Sequence, residues 1–480
     1  MPVSVSPPRS TDVVLLDRRA WTKLLVLCTA VLFEGMSLSS VNVQLTGIQR
    51  DLALRPDQLQ LVASAFLTTY AGLLLAGGKC ADHWGRRPVF LIGVTVFGVS
   101  SLAAGLAQEA VLLIAARAAQ GVGAAITAPA AVALIVVAFP EGAARNRALG
   151  VFSAMGAAGF SLGVVISGVL TQGFGWRAGF FLYVPLALLV LITGVRTLDD
   201  ENEAGKPQGP MPWLPALIVT GGLIAVVYAV GRVGAGSPAE ITVVAGAGLL
   251  AILVSLTAQA RARVPLLPLS LMADRRMASA CVALGGAFAG ITGAMFLVAT
   301  DLQDRLGYSA LMAGLAFLPQ GLAVGILSTP AARLANRRRP ARVLLAGLAV
   351  ITVGQLLYTT VQRGDYVSHL LPAALLVGSG IAVAYPAAVM LASAAAAMDD
   401  QGTASGALVT CQQAGGALGV AAVTGIENTA PGDLWIGPFS LWACFGFAAA
   451  ALLCCIVLLL PGNHDENRAG DEPRQPNRRR

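Results

Sequence analysis

Two ionisable side chains, Glu34 and Arg117, stand inside long apolar runs of a 480-residue chain that is 56% apolar and only 12% charged. A charge at mid-bilayer costs about 2.5 kcal/mol or more on insertion scales, so such a group is a functional hypothesis by default. A carboxyl in a cavity that opens and closes can exchange a proton, because burial favours its neutral form and a nearby cation favours the anion. Arginine stays charged throughout. The chemistry on offer is proton carriage, with Glu34 titrating beside Arg117. The same carboxylate could instead hold a cationic substrate, or the two groups could form a fixed pair that ties helices together.

A second group of charges follows the next apolar run, in Gly77-Gly78-Lys79-Cys80-Ala81-Asp82-His83-Trp84-Gly85-Arg86-Arg87-Pro88. Gly85 permits a tight reversal. Asp82, Arg86 and Arg87 can pair with one another or with helix ends, and Glu141 follows a later run on the same side. Asn42, Gln120, Gln303, Gln412 and Gln413 offer hydrogen-bonding points within or beside apolar runs, either to a cavity or between helices. Asp301 is placed near a cavity mouth or a solvated loop end, and Glu427 at a solvated loop end.

Other chemistries lack their residues. The three histidines, His83, His369 and His464, do not cluster, and no Gly-x-x-x-x-Gly-Lys-Ser/Thr stretch is present to cradle a phosphate. A membrane-embedded enzyme, an ATP-driven pump and a sensor with a soluble output domain are therefore disfavoured. No metal or organic cofactor is expected. The seven cysteines show no metal-type spacing, and they read as buried small hydrophobes, with Cys80 in a basic loop.

The elements that must position these groups are membrane-spanning helices. A span needs about 20 apolar residues. Fourteen runs qualify: 22–46, 58–78, 88–107, 110–139, 147–171, 179–196, 212–231, 241–260, 278–300, 310–331, 343–361, 370–392, 404–425 and 438–460. The first twenty residues are too polar for the apolar segment of a signal peptide, so helix 1 is expected to remain in the mature protein. With the N-terminus inside, the inner segments hold 25 Lys and Arg and the outer loops 6. That asymmetry places both termini in the cytoplasm. It also accounts for the net charge of +7 without nucleic acid.

The expected organisation is an all-α membrane protein with 14 transmembrane helices as 6 + 2 + 6. Residues 1–21 form a cytoplasmic N-terminal segment, 22–196 a six-helix bundle and 197–211 a cytoplasmic linker. Residues 212–277 hold two inserted helices, 278–460 a second six-helix bundle and 461–480 a basic tail. Helical rise puts Glu34 roughly 18 Å from the inner face and Arg117 roughly 10 Å from the outer face. In a core about 30 Å thick these depths nearly match, so a pair, direct or through water, is expected. In the fifth run Gly159 and Gly163 give a Gly-x-x-x-Gly spacing for close helix packing, with Gly168 further along the same run.

The 78–87 stretch resembles the signature of the major facilitator superfamily, Gly-x-x-x-Asp-x-x-Gly-Arg-Arg between helices 2 and 3. Arg117-Ala118-Ala119-Gln120-Gly121 resembles that superfamily's helix-4 motif. The span count is similar to that of its 14-span drug:proton antiporter branch. Trp176-Arg177 with Val184-Pro185, Leu302-Gln303 through Pro319, and Gly402 through Gly419 resemble the same branch. Three positions depart from its pattern. Ser37 stands where helix 1 usually carries Asp, residues 163–168 lack the usual Pro and one Gly of helix 5, and Asp301 replaces an aromatic before Leu302-Gln303.

The resemblance implies a secondary transporter of a bacterial cytoplasmic membrane. Export of amphipathic drugs or natural products in exchange for protons is the expected mode, with symport or uniport of a small organic solute as the alternative. Helices 1 and 4 would line the cavity, and the Asp82 loop would latch the two bundles through Glu141. The expected partners are a small amphipathic substrate and the lipid bilayer, with a monomer as the working unit.

Overall fold

The computed structural model describes residues 18–140, 142–199, 213–262, 265–266, 268–360, 366–397, 400–430 and 437–459. Fourteen helices are long and apolar enough to cross a membrane. The first six are α1 (Arg18–Leu52), α2 (Pro56–Trp84), α3 (Arg86–Gly105), α4 (Ala110–Ala138), α5 (Ala143–Phe174) and α6 (Trp176–Thr197). Then come α7 (Trp213–Gly231) and α8 (Pro238–Ala260). The last six are α9 (Arg275–Asp304), α10 (Ala310–Arg337), α11 (Pro340–Tyr358), α12 (Tyr366–Ala395), α13 (Gln401–Glu427) and α14 (Gly437–Leu459). Every regular element among the described residues is helical.

Several helices run past the expected ends because polar residues continue them beyond the apolar stretch. The first extends from Arg18 to Leu52 rather than 22–46. The second carries the expected loop as its last turns, through Trp84, so Cys80 is buried in a helix. The reversal comes at Gly85, whose φ of +92° lies in the left-handed region that favours glycine. Side-chain caps start three later helices. Ser237, Asp274 and Ser309 accept backbone N–H bonds of 3.1, 2.7 and 3.2 Å from Glu240, Arg276 and Met312. Cys454 is exposed and Cys411 half-buried, against the expectation that all seven thiols are buried. The N-terminal segment, most of the 197–211 linker, Glu141 and the basic tail lie outside the described residues.

Helices α1–α6 pack on one another, chiefly through α1 with α5, and α4 with α2 and α3. Helices α9–α14 do the same through α9 with α13 and α14, and α12 with α10 and α11. The two halves meet where α2 lies along α13 and α5 along α10. The inserted pair α7 and α8 sits outside the α2–α13 seam, with α7 touching both helices.

One end of the bundle, where α1 begins, carries most of the basic residues; it is called the basic end and the opposite one the far end. The buried core divides along this axis. One apolar cluster fills the basic-end half of α1–α6, with Leu24, Phe33, Phe66, Phe90 and Val190. Another runs through α9–α14 and takes in Val41, Leu45, Ile48, Val62 and Trp176 from the far-end half of α1–α6. The two halves are thus fused by shared core at the far end.

Candidate functional site

Glu34 lies midway along α1 and is 5% exposed, and neither carboxyl oxygen has a hydrogen-bond partner. Tyr70 of α2 is within electrostatic reach of this carboxyl and of Tyr385 on α12. Leu38, one turn along α1 from Glu34, packs on the cluster of Leu67 from α2 and Ala417 and Ala421 from α13, so this stretch of α1 faces helices of both halves. An unpaired buried carboxyl is held at least cost as the neutral acid.

Arg117 makes no direct pair with Glu34. Its Nη1 donates 2.9 Å bonds to Ser37 Oγ and Gln120 Oε1, and its Nε donates 3.2 Å to the Val62 carbonyl. The guanidinium carbon lies 4.9 Å from the Phe66 ring centroid and 6.0 Å from that of Phe180. Matching depths misled the expectation because agreement to within a turn still leaves the guanidinium several partners. Ser37 is three residues beyond Glu34 and so about 60° round the helix. Arg117 reaches α1 at Ser37 and lies against Val62 and Phe66 of α2.

Gln120 bridges helices, donating 2.8 Å to Ser101 Oγ on α3 while its oxygen holds Arg117. Asn42 and Gln303 instead bond their own helices, to the Ser39 and Ala299 carbonyls at 3.3 and 3.0 Å. Gln413 is buried, and Gln412 is half-buried with an unpartnered oxygen.

Asp301 holds Arg305 through two bonds of 2.7 and 2.9 Å. It lines a far-end cavity of about 480 Å³ between the halves, with Gln49, Leu59, Phe296, Asp304 and Glu427. Glu427, expected in solvent, faces this cavity and accepts a bond from Ser440. Beside it, Arg50 of α1 pairs with Asp304 of α9 at 2.9 Å, an ion pair across the two halves. Sequence reasoning missed this pair, together with Tyr70 and Tyr385. Their spacing carries no signal, since each partner comes from a distant helix.

The glycines of α5 fill two roles. A methyl at Gly159 would strike the Leu32 carbonyl, and one at Gly163 would stand 2.5 Å from that of Met36, so both hold α5 against α1. Gly168 instead lies on Ala310 and Leu311 of the other half, and a methyl at Gly314 would stand 2.6 Å from the Val164 carbonyl. Nearer the basic end, Gly150 and Gly325 face open space. Close glycine contacts along the α5–α10 seam are made at Gly168, Gly314 and Gly321.

In the 78–87 turn, Arg87 donates 2.7 Å to the Val195 carbonyl of α6, while Asp82 is exposed. Gly77 rather than Gly78 makes the close approach, to Ala125 of α4. The latch expected between this turn and Glu141 involves a residue outside the described set.

The model of the Major Facilitator Superfamily matches residues 25–420 and 280–479. The chain belongs to that superfamily. This major facilitator protein is 35% identical over 435 residues to the puromycin resistance protein of Streptomyces alboniger, covering 89% of this chain and 86% of the relative. It is 34% identical over 419 residues to the cephamycin export protein of Amycolatopsis lactamdurans, covering 85% of each. Its fold is that of the xylose transporter of E. coli in an inward-open conformation, with a TM-score of 0.62 at 14% identity over 92% of this chain and 97% of the other. The facilitator is a multi-pass membrane transporter, not an enzyme.

Proposed function

We propose that this facilitator exports amphipathic drugs or natural products from a bacterial cytoplasm in exchange for protons, by alternating access across the inner membrane. The observation that carries the proposal is Glu34, a buried and unpartnered carboxyl on a stretch of α1 that faces helices of both halves. Such a group takes a proton when enclosed and gives it up when the seam opens to water. Arg117, satisfied by neutral acceptors, sets the field beside α1 instead of trapping Glu34 as a permanent anion.

The relatives named for puromycin resistance and cephamycin export supply the substrate class. The 25-to-6 division of Lys and Arg supports cytoplasmic termini, with the basic end inside. A far end closed by shared core and by Arg50–Asp304 then corresponds to an inward-facing state. One chain carries both halves of the seam and works as a monomer. The Gly85 turn, through Asp82, Arg86 and Glu141, latches the basic end in the opposite state.

The test uses inverted membrane vesicles holding a proton gradient, read by a quenched dye, with puromycin as the first compound. Dye recovery on adding puromycin is expected for the unaltered chain and lost in Glu34→Gln, which should still insert. Full recovery in Glu34→Gln would overturn the role of Glu34.

A further inference from the structure

The inserted pair α7–α8 has no part in the mechanism so far, yet α7 lies against both halves. Toward the basic end it rides on α2 alone. Trp213 packs against Trp84 with ring centroids 5.5 Å apart, Ala216 packs against Ala76, and a methyl at Gly72 would stand 2.8 Å from the Thr220 backbone. Toward the far end it meets both halves. Arg232, just beyond α7, pairs with Asp57 at the start of α2 at 3.0 Å, and both side chains are largely buried. On the other side Asn428 Nδ2, at the end of α13, donates 3.0 Å to the Gly231 carbonyl. Gly425 lets α13 lie on the Val230 carbonyl, and Gly234, with φ of +79°, backs onto Asn428.

We propose that α7 is a clasp over the far end of the α2–α13 seam, carried by α2 and released from α13 when the far end opens. The inference rests on the alternating-access reading above. The two attachments are unequal. On the α2 side stand a charge-assisted pair and contacts along the whole helix. On the α13 side stand one neutral hydrogen bond, a short backbone contact and apolar packing of Val227 and Val230 on Ala417 and Ala421, all in the far-end half of α7. When α2 and α13 separate there, the Asn428–Gly231 contact is the one that parts. The clasp thereby holds the chain in the far-end-closed state, and its strength sets how often that end opens.

The experiment reads far-end opening without a substrate. Leu59 is 4% exposed and lines the far-end cavity, so Leu59→Cys reports opening by its reaction with a membrane-impermeant maleimide in intact cells. The chain without this change gives the background from the native cysteines. Adding Asn428→Ala should raise the labelling rate several-fold, and Asn428→Asp, which keeps the size but removes the donor, should do the same. Adding Arg232→Ala should change it less than twofold, because α7 stays on α2 through its other contacts. Unchanged labelling in both Asn428 variants overturns the clasp. A larger rise with Arg232→Ala also overturns it, since α7 would then be letting go of α2. Asp304→Asn, which breaks the separate Arg50 pair, is the control. If it alone raises labelling, the clasp fails while alternating access stands; if no variant raises it, both fail.

Discussion

Arg117 donates a 2.9 Å hydrogen bond to Ser37, one helical turn along α1 from Glu34. Glu34 is thus left without a direct counter-ion, while the arginine is satisfied by neutral oxygens from α1, α2 and its own helix. Separating the two charges leaves Glu34 free to change protonation without breaking a buried pair, a break that costs about 3–5 kcal/mol when one partner is removed.

Ser37→Ala should destabilise the protein by about 2 kcal/mol, the scale of a hydrogen bond to a charged group. Thermal unfolding in detergent measures it. Ser37→Thr, which keeps a hydroxyl, should recover most of the loss. Equal losses in both variants would show that packing at Ser37, not its oxygen, matters.

Gly159→Ala and Gly163→Ala should each destabilise by about 1–3 kcal/mol, since the added methyl meets α1 backbone that must move. Gly150→Ala, on the same helix but facing open space, should be neutral or slightly stabilising. Thermal unfolding of the three variants side by side separates backbone contact from helix propensity.

Asp304→Asn removes the ion pair with Arg50, whose side chains are 42% and 69% exposed. Screening limits its contribution to about 1 kcal/mol or less. Unfolding temperature should barely change, whereas transport turnover should change because the pair joins two bodies that must separate. A large fall in stability with unchanged turnover would make the pair a structural brace.

At the basic end, the hydrogen bond from Lys23, with Arg19 alongside, holds the Asp199 carboxyl below its ordinary range. A lowered folded value means the contribution is present at neutral pH and is lost as pH falls through that value. Asp199 is nearly half exposed, so the effect is small. Asp199→Asn should melt slightly below the unaltered chain at pH 7, and the difference should vanish below about pH 3. A gap that persists in acid would point to lost packing.

The architecture was legible because a lipid solvent leaves few options. Apolar runs of about twenty residues must be helices, and all fourteen are present. The glycine spacing in α5 also translated directly into contact with α1, because close backbone approach needs a missing Cβ on one face. Helix ends were harder to read. Arg18, Asp51 and Lys79 fall outside any apolar window yet continue helices begun within it. The site was legible in its members but not in its pairings. In a helix apolar nearly all round, nothing in the sequence tells which face meets which neighbour. The offset of one turn that takes Arg117 to Ser37 rather than Glu34 was therefore invisible, as were the neighbours Tyr70 and Tyr385.

Helix α1 is 35 residues long, about 52 Å, against an apolar core of about 30 Å. Its Lys23 is tied to α6 through Asp199 at one end, and its Arg50 to the opposite half through Asp304 at the other. No proline interrupts it, so it behaves as a stiff rod with Glu34 near its middle. A rod that tilts about its middle carries each end through several ångströms. The acid near its centre moves least, so its protonation can change at an almost fixed depth while the two mouths of the protein move around it.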